Sequence, residues 1–268
     1  MRNTFGRQAD LAQEAEDNIM NTDQTPPQHA QSDEGAPQPP NVLLVHGAWA
    51  DSSSWGGVIP LLRARGHHVV AAQLVLNSLA DDVAHTRQVL ADRLQGPTVL
   101  VGHSYGGAVI SGAAAGQPNA LALVYASAFA PDEGELLGEL SGRYPAAPLG
   151  EHLQPDSRGK LWIDPTAFAD VFCQDVDATQ AGIMAAVQGP LAGAIFGEPA
   201  GPAAWRTLPS WYFVSTEDRA IAPDLERFMA GRMGASTIEV ASSHASPVSH
   251  PREIAELIFA AAQIGVRA

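Results

Sequence analysis

Thr98-Val-Leu-Val-Gly-His-Ser-Tyr-Gly-Gly107 is the stretch that decides the fold. Its first four residues form a short apolar strand, and the strand runs directly into Gly102-x-Ser104-x-Gly106. A serine flanked by glycines can occupy a strained strand-to-helix turn, because the small neighbours let the backbone fold sharply and leave the hydroxyl at the carboxyl edge of a sheet. Behind the turn, Ala108 to Ala115 reads as a helix of small residues that stops at Gly116-Gln-Pro118. The amino end of that helix aims N–H groups at charge developing beside Ser104.

Working outward, short β-branched runs alternate with helical patterns from Asn41 onward, which predicts an α/β fold: a mainly parallel six-stranded sheet with helices on both faces. The expected strands are Val42 to His46, His68 to Leu74, Thr98 to Val101, Leu121 to Ala126, Ser210 to Ser215 and Thr237 to Val240. The expected helices between and after them are Trp55 to Arg65, Leu79 to Leu94, Asp224 to Met233 and Arg252 to Ala262, each punctuated by Ser, Pro or Gly at an end. Residues 131–207 break the rhythm. A simple crossover is far shorter, so this interval is expected to be an inserted helical cap, with helices at Glu133 to Leu140, Thr166 to Phe172 and Ala178 to Val187. Residues 41–130 and 208–268 then make the core. Residues 1–40 hold seven acids against two arginines and end in a Pro- and Gln-rich run, the composition of a polar, flexible tail with at most a short helix at Leu11 to Met20.

Composition narrows the function. The net charge is −14 and Lys160 is the one lysine, which argues against nucleic acid as a partner. Cys173 stands alone, so neither an internal disulfide nor a thiolate metal cluster is available. No run reaches the roughly 20 apolar residues of a membrane span, and the first twenty residues lack a signal-peptide core. A cytoplasmic monomer or homodimer is expected. No Gly-x-Gly-x-x-Gly or Gly-Lys-Ser/Thr pattern occurs, and no histidine pair has metal-site spacing, so the chain is expected to use no cofactor and no metal.

A serine hydroxyl needs a base, and the base needs an acid to fix its tautomer. When the nucleophile sits on such an elbow, the partners follow in the order acid, then histidine, on loops after later strands. Asp218 in Ser215-Thr-Glu-Asp-Arg219 and His244 in Ser242-Ser-His-Ala-Ser246 occupy those places. Glu217 is the competing acid, Asp224 suits the first turn of a helix, and His250 precedes Pro251 at a helix start. After the first strand, Val45-His-Gly-Ala-Trp49 turns at Gly47, so the N–H of Ala48 and that of Tyr105 are the candidate oxyanion donors. Trp49 and Phe129, with Trp162 and Phe172 from the cap, are the candidates to line the substrate pocket.

The stretches Val42-Leu-Leu-Val-His-Gly-Ala-Trp49, Gly102-His-Ser-Tyr-Gly-Gly107, Thr216-Glu-Asp-Arg-Ala-Ile221 and Ser243-His244 resemble the α/β-hydrolase superfamily, in particular small bacterial esterases related to plant methyl esterases and hydroxynitrile lyases. The resemblance runs from Asn41 to the C-terminus. It implies a Ser104, Asp218, His244 triad, an oxyanion hole at Ala48 and Tyr105, and a helical cap. The cyanohydrin-cleaving members carry a threonine where Gly47 stands and a lysine where Ala245 stands. Both are missing, and a dehalogenase would need an aspartate at position 104. The expected activity is therefore that of a serine carboxylesterase acting on a small-molecule ester. A lactonase or carbon–carbon lyase on the same triad, or a ligand sensor, are the alternatives.

Overall fold

The computed structural model describes residues 38–266, so the expected tail and its Leu11 to Met20 helix lie outside the described residues. The strands are β1 (Asn41–Val45), β2 (Val69–Ala72), β3 (Thr98–His103), β4 (Ala120–Ala126), β5 (Leu153–Pro155), β6 (Lys160–Ile163), β7 (Leu191–Ala192), β8 (Ser210–Ser215) and β9 (Ser236–Val240). Six of them form a parallel sheet in the order β2-β1-β3-β4-β8-β9, so the six expected strands all exist and pair.

Strand alternation assigns each side chain to a layer. Leu43, Val45, Leu100, Leu123, Tyr125, Tyr212 and Val214 face one side, where they pack beneath helices α2 (Leu79–Arg93), α3 (Tyr105–Ala113) and α7 (Pro223–Met233). Val42, Leu44, Val99, Val101, Ala122, Val124 and Phe213 face the other, against α1 (Val58–Ala64) and α9 (Pro251–Ala262). Both faces being covered is why these strands read as unbroken apolar runs rather than alternating ones. Helix α9 presents Ile254, Leu257, Ile258 and Ala261 as one stripe, the spacing seen in the sequence. The Trp55 to Arg65 pattern divides into a 3₁₀ turn at Ser52–Trp55 and then α1.

Residues 131–207 hold helices α4 (Leu137–Ser141), α5 (Phe168–Phe172) and α6 (Ala178–Val187), and also a three-stranded antiparallel sheet, β5-β6-β7. The insertion is thus not purely helical. Asp156-Ser-Arg-Gly159 turns the β5–β6 hairpin: the Asp156 carboxylate accepts the N–H groups of Arg158 and Lys160 at 2.8 and 2.9 Å, and Gly159 takes φ +76°. The helix expected at Glu133 begins only at Leu137, because Gly134 and Glu135 instead exchange backbone hydrogen bonds with Ala200. Helix α8 (Ser246–Ser249) is a single turn leading into α9. No described helix is long and apolar enough to cross a membrane.

Candidate active site

The carboxyl ends of β1, β3, β4, β8 and β9 carry the loops on which the candidate residues sit. Ser104 adopts φ +54°, ψ −124° between β3 and α3, a conformation that costs a non-glycine residue strain and that the surrounding contacts must hold. Three glycines make the turn possible. A Cβ on Gly102 would lie 2.5 Å from the Gly106 carbonyl oxygen, one on Gly106 would lie 2.4 Å from the Val45 carbonyl oxygen, and one on Gly47 would lie 2.6 Å from Ser104 Cβ. Backbone is therefore packed directly on backbone here. The Ser104 carbonyl accepts the N–H groups of Gly107 and Phe129, both at 3.0 Å, which pins the turn to the loop after β4.

Ser104, Asp218 and His244 converge. Ser104 Oγ lies 2.8 Å from His244 Nε2, and His244 Nδ1 lies 2.6 Å from Asp218 Oδ2. Asp218 also accepts the N–H groups of Ala220 at 2.6 Å and Ile221 at 2.8 Å through Oδ1. Burial alone would push this carboxyl up, but the charge and hydrogen bond of His244, with further hydrogen bonds, hold it below the ordinary aspartate value. An ionised Asp218 makes Nδ1 the protonated nitrogen and leaves Nε2 free to accept the Ser104 proton. Residues of the 131–207 segment brace the histidine loop: Ala245 N–H donates to the Phe172 carbonyl at 3.1 Å, and Ser243 N–H donates to Asp175 at 2.8 Å.

Among the described residues the N–H groups of Ala48 and Tyr105 donate no hydrogen bond to the protein. Their positions are fixed from behind. Tyr105 Oη donates to Asp82 at 2.9 Å, and His46, kept neutral by burial, accepts the Leu74 N–H at 2.9 Å through Nε2 while Nδ1 meets the Gly47 carbonyl at 2.8 Å. Trp49, at φ +55°, donates from Nε1 to the Leu161 carbonyl at 2.8 Å and so ties the loop after β1 to β6.

Ser104 and His244 open into a cavity of about 280 Å³ lined by Trp49, Phe129, Leu149, Leu153, Leu161 and Phe196, among other residues, none of them charged. Two expected lining residues lie elsewhere. Trp162 follows Leu161 on β6, so strand alternation turns it away from the cavity, with Nε1 3.4 Å from Asp156. Phe172 is buried, its ring edge-on to His244 at 5.0 Å between centroids, where it packs the imidazole rather than the cavity. Glu217 is exposed and offers its carbonyl to Gln174, Asp224 pairs with Arg227 in the first turn of α7, and His250 lies beside Ser249 at the start of α9. None of these three reaches Ser104.

The sequence profile described as the alpha/beta hydrolase family matches residues 42–257. The chain belongs to that family. Among its relatives, a pyrethroid hydrolase of Sphingobium wenxiniae is 36% identical over 99 residues, 33% of this chain and 35% of its own length, so the matched segment spans about a third of that relative. A crystal structure of a pyrethroid hydrolase aligns with a TM-score of 0.73 at 25% identity, covering 85% of this hydrolase-family chain and 99% of the other. A methylesterase from Arabidopsis aligns at 0.68 with 16% identity, covering 84% and 99%, and shares the fold that the plant-esterase resemblance implies.

Two residues of this alpha/beta hydrolase site escaped sequence reasoning. His103 occupies the variable position of the Gly-x-Ser-x-Gly motif, and the imidazole beside Ser104 was the available signal. Its Nε2 meets the His244 carbonyl at 2.8 Å. Burial first, and the neighbouring His244 second, push His103 down to about 3, so it is a neutral spacer under His244. Glu226 lies on the buried stripe Glu226, Met229, Ala230 of α7 and is fully enclosed. Its place on an otherwise apolar helical face was the signal.

Proposed function

We propose that the protein is a serine carboxylesterase for small to medium uncharged esters. The observation that carries this reading is the relay from Ser104 Oγ through His244 to Asp218, at 2.8 and 2.6 Å, opening into an uncharged apolar cavity. In the mechanism, His244 Nε2 removes the hydroxyl proton as Ser104 Oγ attacks the ester carbonyl, and Asp218 stabilises the imidazolium. The N–H groups of Ala48 and Tyr105 receive the oxyanion, each donor being worth about 3 kcal/mol. The imidazolium then protonates the departing alcohol, leaving the acyl group on Ser104. Water, deprotonated by the same nitrogen, attacks that acyl group and releases the acid.

The uncharged lining supports an apolar substrate, since a charged group placed there would lose its hydration without a partner. The name of the pyrethroid hydrolase relative supports an ester of that general kind. Hydrolysis is favoured over cyanohydrin cleavage because position 47 has no room for a threonine beside Ser104. The test is a panel of p-nitrophenyl esters with wild-type protein and Ser104→Ala, together with fluorophosphonate labelling. Saturable turnover and labelling that both vanish in the variant are expected; ester turnover that survives Ser104→Ala overturns the reading.

A further inference from the structure

Glu226 has no exposed surface. Oε2 accepts the Ser215 N–H at 3.0 Å, while Oε1 has no donor within the protein. Arg227, next along α7, points outward to Asp224 and Glu239 at 2.9 and 2.8 Å. Tyr212 on β8 faces the same space, but its hydroxyl donates to the Ala128 carbonyl. The remaining neighbour is Asp218, whose carboxyl charge bears directly on Glu226 and whose far side meets His244 at 2.6 Å. Two carboxylates joined in a dry site cannot both be ionised, and one must hold a proton. His244 and two backbone N–H groups all favour charge on Asp218, whereas Glu226 has only one N–H.

We propose that Glu226 is a positioning residue for Asp218: as a neutral carboxylic acid it donates a hydrogen bond to the Asp218 carboxylate and thereby sets how strongly that carboxylate holds the proton of His244. The proposal rests on the triad assignment above. Burial first, and the adjacent Asp218 charge next, raise Glu226 well above the ordinary glutamate value, in agreement with the geometry. The donated bond draws charge from Asp218, so the Nδ1 proton stays on His244 and the imidazolium is not over-stabilised. It can then surrender its Nε2 proton to the leaving alcohol.

Glu226→Gln keeps a donor toward Asp218 and an acceptor for Ser215, whereas Glu226→Leu removes both. The Gln variant is expected to keep kcat and the acid limb of the kcat/KM profile. Removing the donor in the Leu variant is expected to lower kcat by about tenfold. It also leaves the Asp218 charge uncompensated, so the acid limb moves to higher pH by about one unit. Infrared spectroscopy of wild-type protein near neutral pH should show a deuterium-sensitive protonated-carboxyl band that Glu226→Gln lacks, a readout that needs neither turnover nor a folded Leu variant. An absent band, a Gln variant as impaired as the Leu variant, or an unmoved acid limb in a folded Leu variant overturns the proposal. Absence of the band together with Ser104-dependent hydrolysis sinks this inference alone, whereas turnover that persists in Ser104→Ala sinks the esterase reading and leaves the band untouched.

Discussion

Gly47 and Ser104 meet across a gap that admits no side chain: a Cβ at position 47 would stand 2.6 Å from Ser104 Cβ, with the His103 carbonyl oxygen at 3.1 Å behind it. The loop after β1 and the turn after β3 are thereby held in backbone contact. Gly47→Ala is expected to push this loop outward and with it the Ala48 N–H, the proposed oxyanion donor, lowering kcat by about a hundredfold. KM for a small ester should change far less, and steady-state kinetics on p-nitrophenyl acetate would check it.

The choice of acid can be tested by exchanging carboxyl for amide. Asp218 meets His244 at 2.6 Å while Glu217 is exposed. Asp218→Asn should cost about 10⁴ in kcat, because an amide favours the wrong imidazole tautomer, and Glu217→Gln should leave kcat unchanged. The opposite pattern would reassign the acid.

Leu161 and Trp162 are adjacent on β6 but face opposite ways, only Leu161 lining the cavity. Filling that space with Leu161→Phe should raise KM for long-acyl esters more than for acetate, since overpacking expels the larger group. Trp162→Phe should leave the chain-length profile as it is. Measuring kcat/KM against acyl length for both variants separates the two faces of the strand.

Neutral, buried His103 links stability to pH. Its folded value of about 3 lies below the ordinary 6.5, so between these limits the unfolded chain binds a proton that the folded one does not. Stability from this group is complete above about pH 6.5 and is lost as pH falls, with a slope near 1.4 kcal/mol per pH unit. His46, also depressed by burial, acts in the same sense, while the raised Glu226 acts in the opposite one. Urea denaturation between pH 4 and 6 should therefore show a steeper loss on acidification for wild type than for His103→Gln. Equal slopes would mean that His103 is charged in the folded protein.

Local chemistry made much of this protein readable in one dimension. The six β-branched runs, the helix punctuation and the Gly102-x-Ser104-x-Gly106 turn depend on backbone sterics and on burial over a few residues; the strands reappear with boundaries shifted by a residue or two, while the helix expected from Ala108 starts three residues earlier at Tyr105 and the one expected from Trp55 three residues later at Val58. Asp218 and His244 were legible because a parallel sheet delivers its loops to one edge, so order along the chain predicts proximity. Residues 131–207 were less readable. Their β5-β6-β7 sheet is made of strands of two to four residues, too short for a periodicity to show.

What the linear chain determined by itself, then, is the sheet, the elbow and the three residues offered as nucleophile, acid and base. Only tertiary packing decided which face of β6 meets the cavity, that Phe172 packs His244 instead of lining the cavity, and that His103 stands buried against His244 and Glu226 near Asp218. The physical reason is range. Backbone conformation answers to near neighbours, whereas the protonation and orientation of a buried side chain answer to whatever the fold brings against it, such as Ser104 and His244 across 140 positions of sequence.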